Sequence, residues 1–243
     1  MPEDNKSVET NPLSYSSATL LKNCPQKYYH YKVAKVAKDS DYEQNEGAFN
    51  VGSAFHYVME MNGHSEKDLD EWLDKACRSF DVEDKKGMLN AMLLRYLQVH
   101  KKSGLEVVYS EFELKTDDFI GYIDAIMKDP KTGLWYLVDL KTARMYSEVT
   151  TARLSHDTQL NLYSYFAPQI AKHFELDLNK FAGARYRVTT KSDLKKKITE
   201  SYGDHVRRTA KNVKSYDIVI PIETMDPAAF MSDHEDLKFK ADL

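Results

Sequence analysis

Helical spacing of apolar side chains dominates the first hundred residues, strand-like alternation takes over near residue 106, and a mixture of the two follows after residue 155. Behind a polar start, Ser14 or Ser16 is placed to cap an amphipathic helix that carries Leu20 and Leu21 toward Tyr31, with Pro25 breaking or restarting it. Residues 35 to 50 lack periodicity and read as a loop. From Val51 to Met61 helical spacing returns, with Gly52 and His56 one turn apart and therefore on one face. Two further helices are predicted over 66–80 and 84–101, with Trp72, Leu73, Phe80, Met88, Met92, Leu93 and Tyr96 as core candidates.

Three extended runs follow, Glu106 to Lys115, Phe119 to Lys128 and Leu134 to Lys141, and they predict an antiparallel meander. Pro130 and Gly133 suit a four-residue turn over 130–133, so Asp129 pairs with Leu134 and opposed residues have numbers summing to 263. That register sets Asp124 across from Asp139, with α-carbons about 4.5–5.5 Å apart. Lys141 shares a face with Asp139, while Val138 and Leu140 turn to the core, so one face is expected to be chemical and the other structural. Opposed carboxylates repel unless neutralised, and a divalent cation with oxygen ligands neutralises them. The competing reading is a solvated strand of mixed charge, and a one-residue slip would turn Asp124 to the opposite face. Glu111 and Glu113 share a face of the first run, and Glu113 is the favoured supporting carboxylate.

A polar loop with Arg144 and Arg153 leads to a helix capped by Ser155 or Asp157, reaching Phe166 and limited by Pro168. Gln159 and Tyr163 lie one turn apart on it and can both hydrogen-bond, although a surface glutamine and an interfacial tyrosine would look the same. Ala182 to Thr190 and Asp217 to Ile222 read as strands, and the acidic tail after Asp233 is expected to fray. With no repeat or low-complexity linker, one domain is expected over 14–230, between a flexible 1–13 and an acidic 231–243, with a helical lobe at about 52–105.

Composition sharpens this picture at three points. The net charge of −4 conceals a window from Arg185 to Lys214 with ten Lys or Arg against three acids, an excess of seven that leaves −11 elsewhere. Its Lys195, Lys196, Lys197, Arg207 and Arg208, with Arg144, Arg153 and the Tyr28 and Tyr29 of a Lys-Tyr-Tyr-His-Tyr-Lys cluster, are candidates for phosphate contact and base stacking. A merely solvated helix and loop, and aromatic core packing, are the plain alternatives. Cys24 and Cys77 give neither a disulfide framework nor a four-cysteine cluster. With no apolar run near twenty residues and no basic-then-apolar start, the chain is expected in the cytoplasm and away from membranes.

Taken in order, Cys24-Pro25, Gly52 through His56, Gly121 through Asp124, Asp139-Leu140-Lys141 and Gln159 through Tyr163 resemble the PD-(D/E)XK nuclease superfamily. More narrowly they look like its branch of RecB-type domains, Cas4-like exonucleases and the mitochondrial genome maintenance exonuclease, over residues 14 to 190. The resemblance implies an α/β restriction-endonuclease-like core with a central mixed sheet flanked by helices. It implies one or two Mg²⁺ or Mn²⁺ held by His56, Asp124, Asp139 and the main-chain carbonyl of Leu140. Lys141 would be catalytic, and Gln159 and Tyr163 would steady the site. Relatives with an iron–sulfur cluster use four cysteines; three are missing here, so no cluster is expected. The expectation is then a metal-dependent DNA exonuclease of replication, recombination or repair, acting on single strands or duplex ends, with replication or recombination proteins as partners. Its compact size suits a viral or mobile-element enzyme working in a host cytoplasm. A structure-specific endonuclease and a catalytically silent nucleic-acid-binding subunit are the alternatives.

Overall fold

A computed structural model of the chain describes residues 12–35, 46–117, 119–147, 154, 157–228, 231–232 and 236. At its centre the hairpin forms in the register that its turn sets. Asp129 N–H donates to Leu134 O at 2.8 Å, Gly133 takes φ +75°, and the ladder pairs Lys128 with Trp135 through to Ala125 with Val138. Asp129 also accepts from Lys131 N–H at 2.8 Å and from the Thr132 hydroxyl at 2.9 Å, which ties the turn to its own side chain.

Around this hairpin, the described residues form eight α-helices and a six-stranded mixed sheet. In chain order they are β1 (Leu13–Ser14), α1 (Tyr15–Asn23), α2 (Pro25–Tyr28), α3 (Glu46–Met61), α4 (Leu69–Ser79), α5 (Lys86–Ser103), β2 (Glu106–Lys115), β3 (Phe119–Lys128), β4 (Trp135–Ala143), α6 (Thr158–Tyr165), α7 (Ala167–His173), β5 (Phe181–Thr190), α8 (Tyr202–Ala210) and β6 (Ser215–Pro221). The expected meander β2–β3–β4 is antiparallel; β5 then joins β4 in parallel and β6 joins β5 antiparallel. Local chemistry explains the boundaries. Ser14 caps α1 by accepting from Ser17 N–H, Pro25 restarts the chain as the first residue of α2, and Asp157 caps α6 by accepting from Gln159 N–H. Of the other cap candidates, Ser155 lies outside the described residues, as does Arg153. The unpatterned stretch is shorter than predicted, because Glu46–Asn50 already belongs to α3; residues 36–45, most of that stretch, fall outside the described residues.

One strand edge is shared by two partners. β2 runs along β3 from Ile120 to Lys128, so the other edge of β3 carries β4 at residues 125–128 and, beyond it, β1 at 119–120. Between them, at residues 121–124, β3 has no strand neighbour on that edge among the described residues. The candidate site occupies this interval.

Both sheet faces are covered, which corrects the expectation of one chemical and one structural face. Tyr136, Val138 and Leu140 of β4 pack with α3, α4 and α5, whereas Trp135 and Leu137 pack with α6, α7 and the other face of β5. Acidic and basic side chains on β4 are therefore confined to its C-terminal end.

Behind the α3–α5 layer lies a buried polar cluster. Arg187, fully buried on β5, donates to Tyr96 Oη at 3.3 Å, to His100 Nδ1 at 2.6 Å and to Ser103 Oγ at 2.9 Å, and sits 3.7 Å from Asp217, which Arg185 engages at 2.7 Å. Burial, with the charge of Arg187 adding to it, pushes His100 down to about 4; burial and the neighbouring His100 push His64 down to about 3. The unfolded chain takes up protons near pH 6.5 that the folded chain refuses. Stability is therefore full above that pH and is lost as the pH falls through 6.5 toward 4. His100→Gln, which keeps an acceptor for Arg187, should flatten this loss by about 1.4 kcal/mol per pH unit in that window. Denaturant midpoints measured from pH 7 to 4.5 check it, and equal slopes in the two proteins would refute the assignment.

Candidate active site

Asp124 is the residue at which β3 and β4 part. The Ala125–Val138 pair is the last of the ladder, and instead of a further main-chain pair the Asp124 carboxylate enters the gap, where Oδ2 accepts from Leu140 N–H at 2.6 Å. Its Oδ1 lies 3.2 Å from His56 Nδ1 on α3. Burial raises the Asp124 pKa, but the His56 charge and hydrogen bond and the Leu140 amide outweigh it, and the group is held below the usual carboxylate range. The His56 imidazole, pulled down by burial, is raised on balance by Asp124.

Glu111 comes from β2 across the other edge of β3. It adopts φ +52°, an uncommon conformation for a side-chain-bearing residue, and its carboxylate, His56 and Asp124 each offer a ligand atom within 4.8 Å of the other two. Burial and the adjacent Asp124 push the Glu111 pKa up to about 7. The expected supporting carboxylate, Glu113, shares this face as predicted but is exposed and accepts instead from Tyr122 Oη at 2.8 Å. Glu111 takes the place given to Glu113.

Asp139 and Lys141 stand on the opposite side of the gap. Asp139 is 4% exposed; the Lys141 ammonium donates to its Oδ1 at 3.0 Å and to Gln159 Oε1 at 3.0 Å. The second oxygen, Oδ2, is 2.9 Å from the same nitrogen but misaligned with it, and it has no hydrogen-bond partner among the described residues. Burial and the Asp124 charge push Asp139 up to about 7, against the pull of Lys141. Burial lowers the Lys141 pKa, but Asp139 more than compensates, so the amine stays an ammonium. The row continues as Gln159 Nε2 donates to Tyr163 Oη at 3.3 Å. The half-buried His56, Glu111 and Asp124 offer one nitrogen and two carboxylate ligands, a donor set that fits a divalent cation; Asp139 lies outside that cluster, on the far side of the gap.

Gly121 makes room for that row. A β-carbon there would lie 2.6 Å from the Tyr163 ring and 2.8 Å from the Phe119 ring, both buried. Gly121→Ala should cost about 1–3 kcal/mol through overpacking, read as a lowered denaturant midpoint; an unchanged midpoint would show that Tyr163 can yield. Gly52 likewise faces a side chain rather than another backbone, since a β-carbon added there would lie 3.2 Å from the Thr142 hydroxyl.

The remaining sequence candidates scatter. Tyr29 is exposed and Tyr28 half-buried, and none of the cluster's residues joins the core. Lys195, Lys196 and Lys197 lie on an exposed loop. The basic window is not one stripe, because Arg185 and Arg187 point into the protein, Arg208 is fastened to Glu200 at 2.7 and 2.8 Å and Arg207 pairs with Asp204 at 2.6 Å; outside the window, Arg144 pairs with Asp193 at 3.2 Å. A cleft of about 760 Å³ opens onto His56, Glu111 and Asp124 and is lined also by Ser53, Tyr57, Phe80 and Tyr122.

The family model of the PD-(D/E)XK nuclease superfamily matches residues 12–232. The chain belongs to this superfamily. No curated protein matches the chain. In a PD-(D/E)XK nuclease the mixed sheet flanked by helices is the restriction-endonuclease-like core, and membership implies metal-dependent hydrolysis of a nucleic acid. The His56, Glu111 and Asp124 cluster is where this PD-(D/E)XK chain gathers candidate metal ligands. Among the described residues no helix is long and apolar enough to cross a membrane.

Proposed function

We propose that the chain is a divalent-metal-dependent deoxyribonuclease of the RecB- and Cas4-like branch, working as an exonuclease on single strands or duplex ends in replication, recombination or repair. The observation that carries this reading is the meeting of His56, Glu111 and Asp124 within 4.8 Å beside the Asp139–Lys141 pair, at the mouth of a cleft. His56, Glu111, Asp124 and the second oxygen of Asp139 would hold Mg²⁺ or Mn²⁺. The Leu140 carbonyl is a further donor, since an extended residue sends its N–H and C=O toward the same neighbour and the N–H already faces the gap. When bound, the cation supplies Lewis acidity toward the phosphate and lowers the pKa of an attacking water.

The chain's own groups do the rest. His56 and the Leu140 amide hold Asp124 ionised and fix its orientation. Asp139 and Gln159 hold the Lys141 ammonium, which is partly exposed and so can donate to charge that develops on the phosphate oxygens. Gln159, capped in place by its own N–H to Asp157 at 2.7 Å and bonded to Tyr163, sets where that ammonium stands.

End-labelled single- and double-stranded DNA incubated with Mg²⁺ or Mn²⁺ should give metal-dependent short products, while covalently closed circles stay intact. Cutting of the circle would replace the exonuclease with an endonuclease, and absence of any metal-dependent product would remove the enzyme altogether.

A further inference from the structure

The cleft beside the metal-ligand cluster has an aromatic wall that the chemistry at the cluster does not use. Tyr57 and Phe80 line it, edge to face at 5.8 Å, and Tyr57 is backed by Trp72 at 6.3 Å. From the sheet side comes Tyr122, two residues before Asp124 and 51% exposed. A large apolar ring left half open on a strand is worth accounting for, and this one is held in place by its hydroxyl, which donates to Glu113 Oε2 at 2.8 Å. Ser53, Thr142 and Lys191 complete the rim.

The charge of the cleft selects what can occupy it. Glu60 lines it outside the cation site, so apart from that site and Lys191 it repels a phosphate. A nucleobase is neutral and presents a π-face, which suits exposed tyrosine, and every base has one, so stacking tolerates any sequence. A base paired within a duplex is covered on both faces by its neighbours and would have to be unstacked to reach the wall.

Resting on the nuclease reading above, we infer that this cleft is a stacking subsite for an unpaired nucleobase, with Tyr122 as its platform, next to the phosphate to be cut. The substrate class is then single-stranded nucleic acid or the frayed end of a duplex.

Fluorescence anisotropy in Ca²⁺, in an Asp139→Asn background that suppresses cutting, tests this with three probes of equal length: a single-stranded oligonucleotide, an abasic strand and a blunt duplex closed by hairpins at both ends. Tyr122→Ala should weaken binding of the single strand about 5- to 150-fold, leave the abasic strand and the closed duplex unchanged, and be rescued by Tyr122→Phe, which keeps the ring and loses the hydroxyl. Equal binding of the single strand by Tyr122→Ala and the parent, or an equal loss on all three probes, would overturn the subsite. Failure of the parent to bind any probe would overturn the nuclease reading along with it, which separates the two outcomes. Tyr122 is exposed, so its replacement leaves the core intact.

Discussion

Asp139→Asn should lower metal-dependent cleavage by roughly 10²–10³-fold or more while the protein becomes no less stable. The carboxylate is buried, and both its burial and the Asp124 charge disfavour its ionised form, pushing its pKa up to about 7. A group with a raised folded-state pKa costs stability once the pH exceeds its unfolded value near 3.8, so the ionised form is carried at a loss at neutral pH. A neutral amide of the same shape removes that cost and still accepts from Lys141. It cannot supply the anionic oxygen that has no hydrogen-bond partner among the described residues. Loss of activity together with an equal or higher denaturant midpoint at pH 8 is the expected result, the pattern of a site whose function costs stability. Retained activity would show that Asp139 is a structural partner of Lys141 only. Lys141→Ala should lose activity on the same scale by removing the ammonium proposed to donate to the phosphate, and here the vacated Asp139 keeps its buried charge, so the midpoint should fall.

Arg187→Met should unfold the protein more readily by about 3 kcal/mol or more. The guanidinium has no exposure, and it supplies the hydrogen bonds of Tyr96, His100 and Ser103 on α5 while sharing Asp217 with Arg185. Removing it leaves the acceptors on Tyr96, His100 and Ser103 without this donor and takes away one of the two cations beside Asp217, which keeps its hydrogen bond from Arg185. Arg207→Ala, on an exposed pair with Asp204, should change stability by no more than about 0.5 kcal/mol. Urea titrations of both variants give the comparison. Similar small effects in the two would mean that the α5–β5 interface does not depend on this cluster.

Arg185 and Arg187 also show where the sequence is opaque. Counted along the chain they add to a basic window, yet they alternate with Ala184, Tyr186 and Val188 on a central strand whose two faces are both covered. Charge alone cannot report burial when the partner, Asp217, lies far along the chain on the neighbouring strand. The hairpin is legible because its determinants are local: Pro130, Gly133 and the Asp129 side chain set a register that no distant contact has to correct. The helix caps at Ser14 and Asp157 are legible for the same reason. The short α7 escapes a local reading because Pro168, which limits the preceding helix, also opens the next one. Glu111 is within reach of the sequence. Pairing Thr116 with Phe119 across the turn between β2 and β3 sets opposed residues to sum to 235, and that register places Glu111 beside Asp124. What no local signal reveals is the parting of β3 from β4 at Asp124, beyond which the same edge of β3 is taken at Phe119–Ile120 by β1, a two-residue strand distant in the sequence.

Four side chains are thus expected to converge on one cation at the gap between β3 and β4. A crystal of the full chain soaked in MnCl₂, measured at the manganese edge, should show an anomalous peak bounded by His56, Glu111, Asp124 and Asp139. An anomalous map with no peak among those atoms, at a Mn²⁺ concentration that supports cleavage in solution, would contradict it.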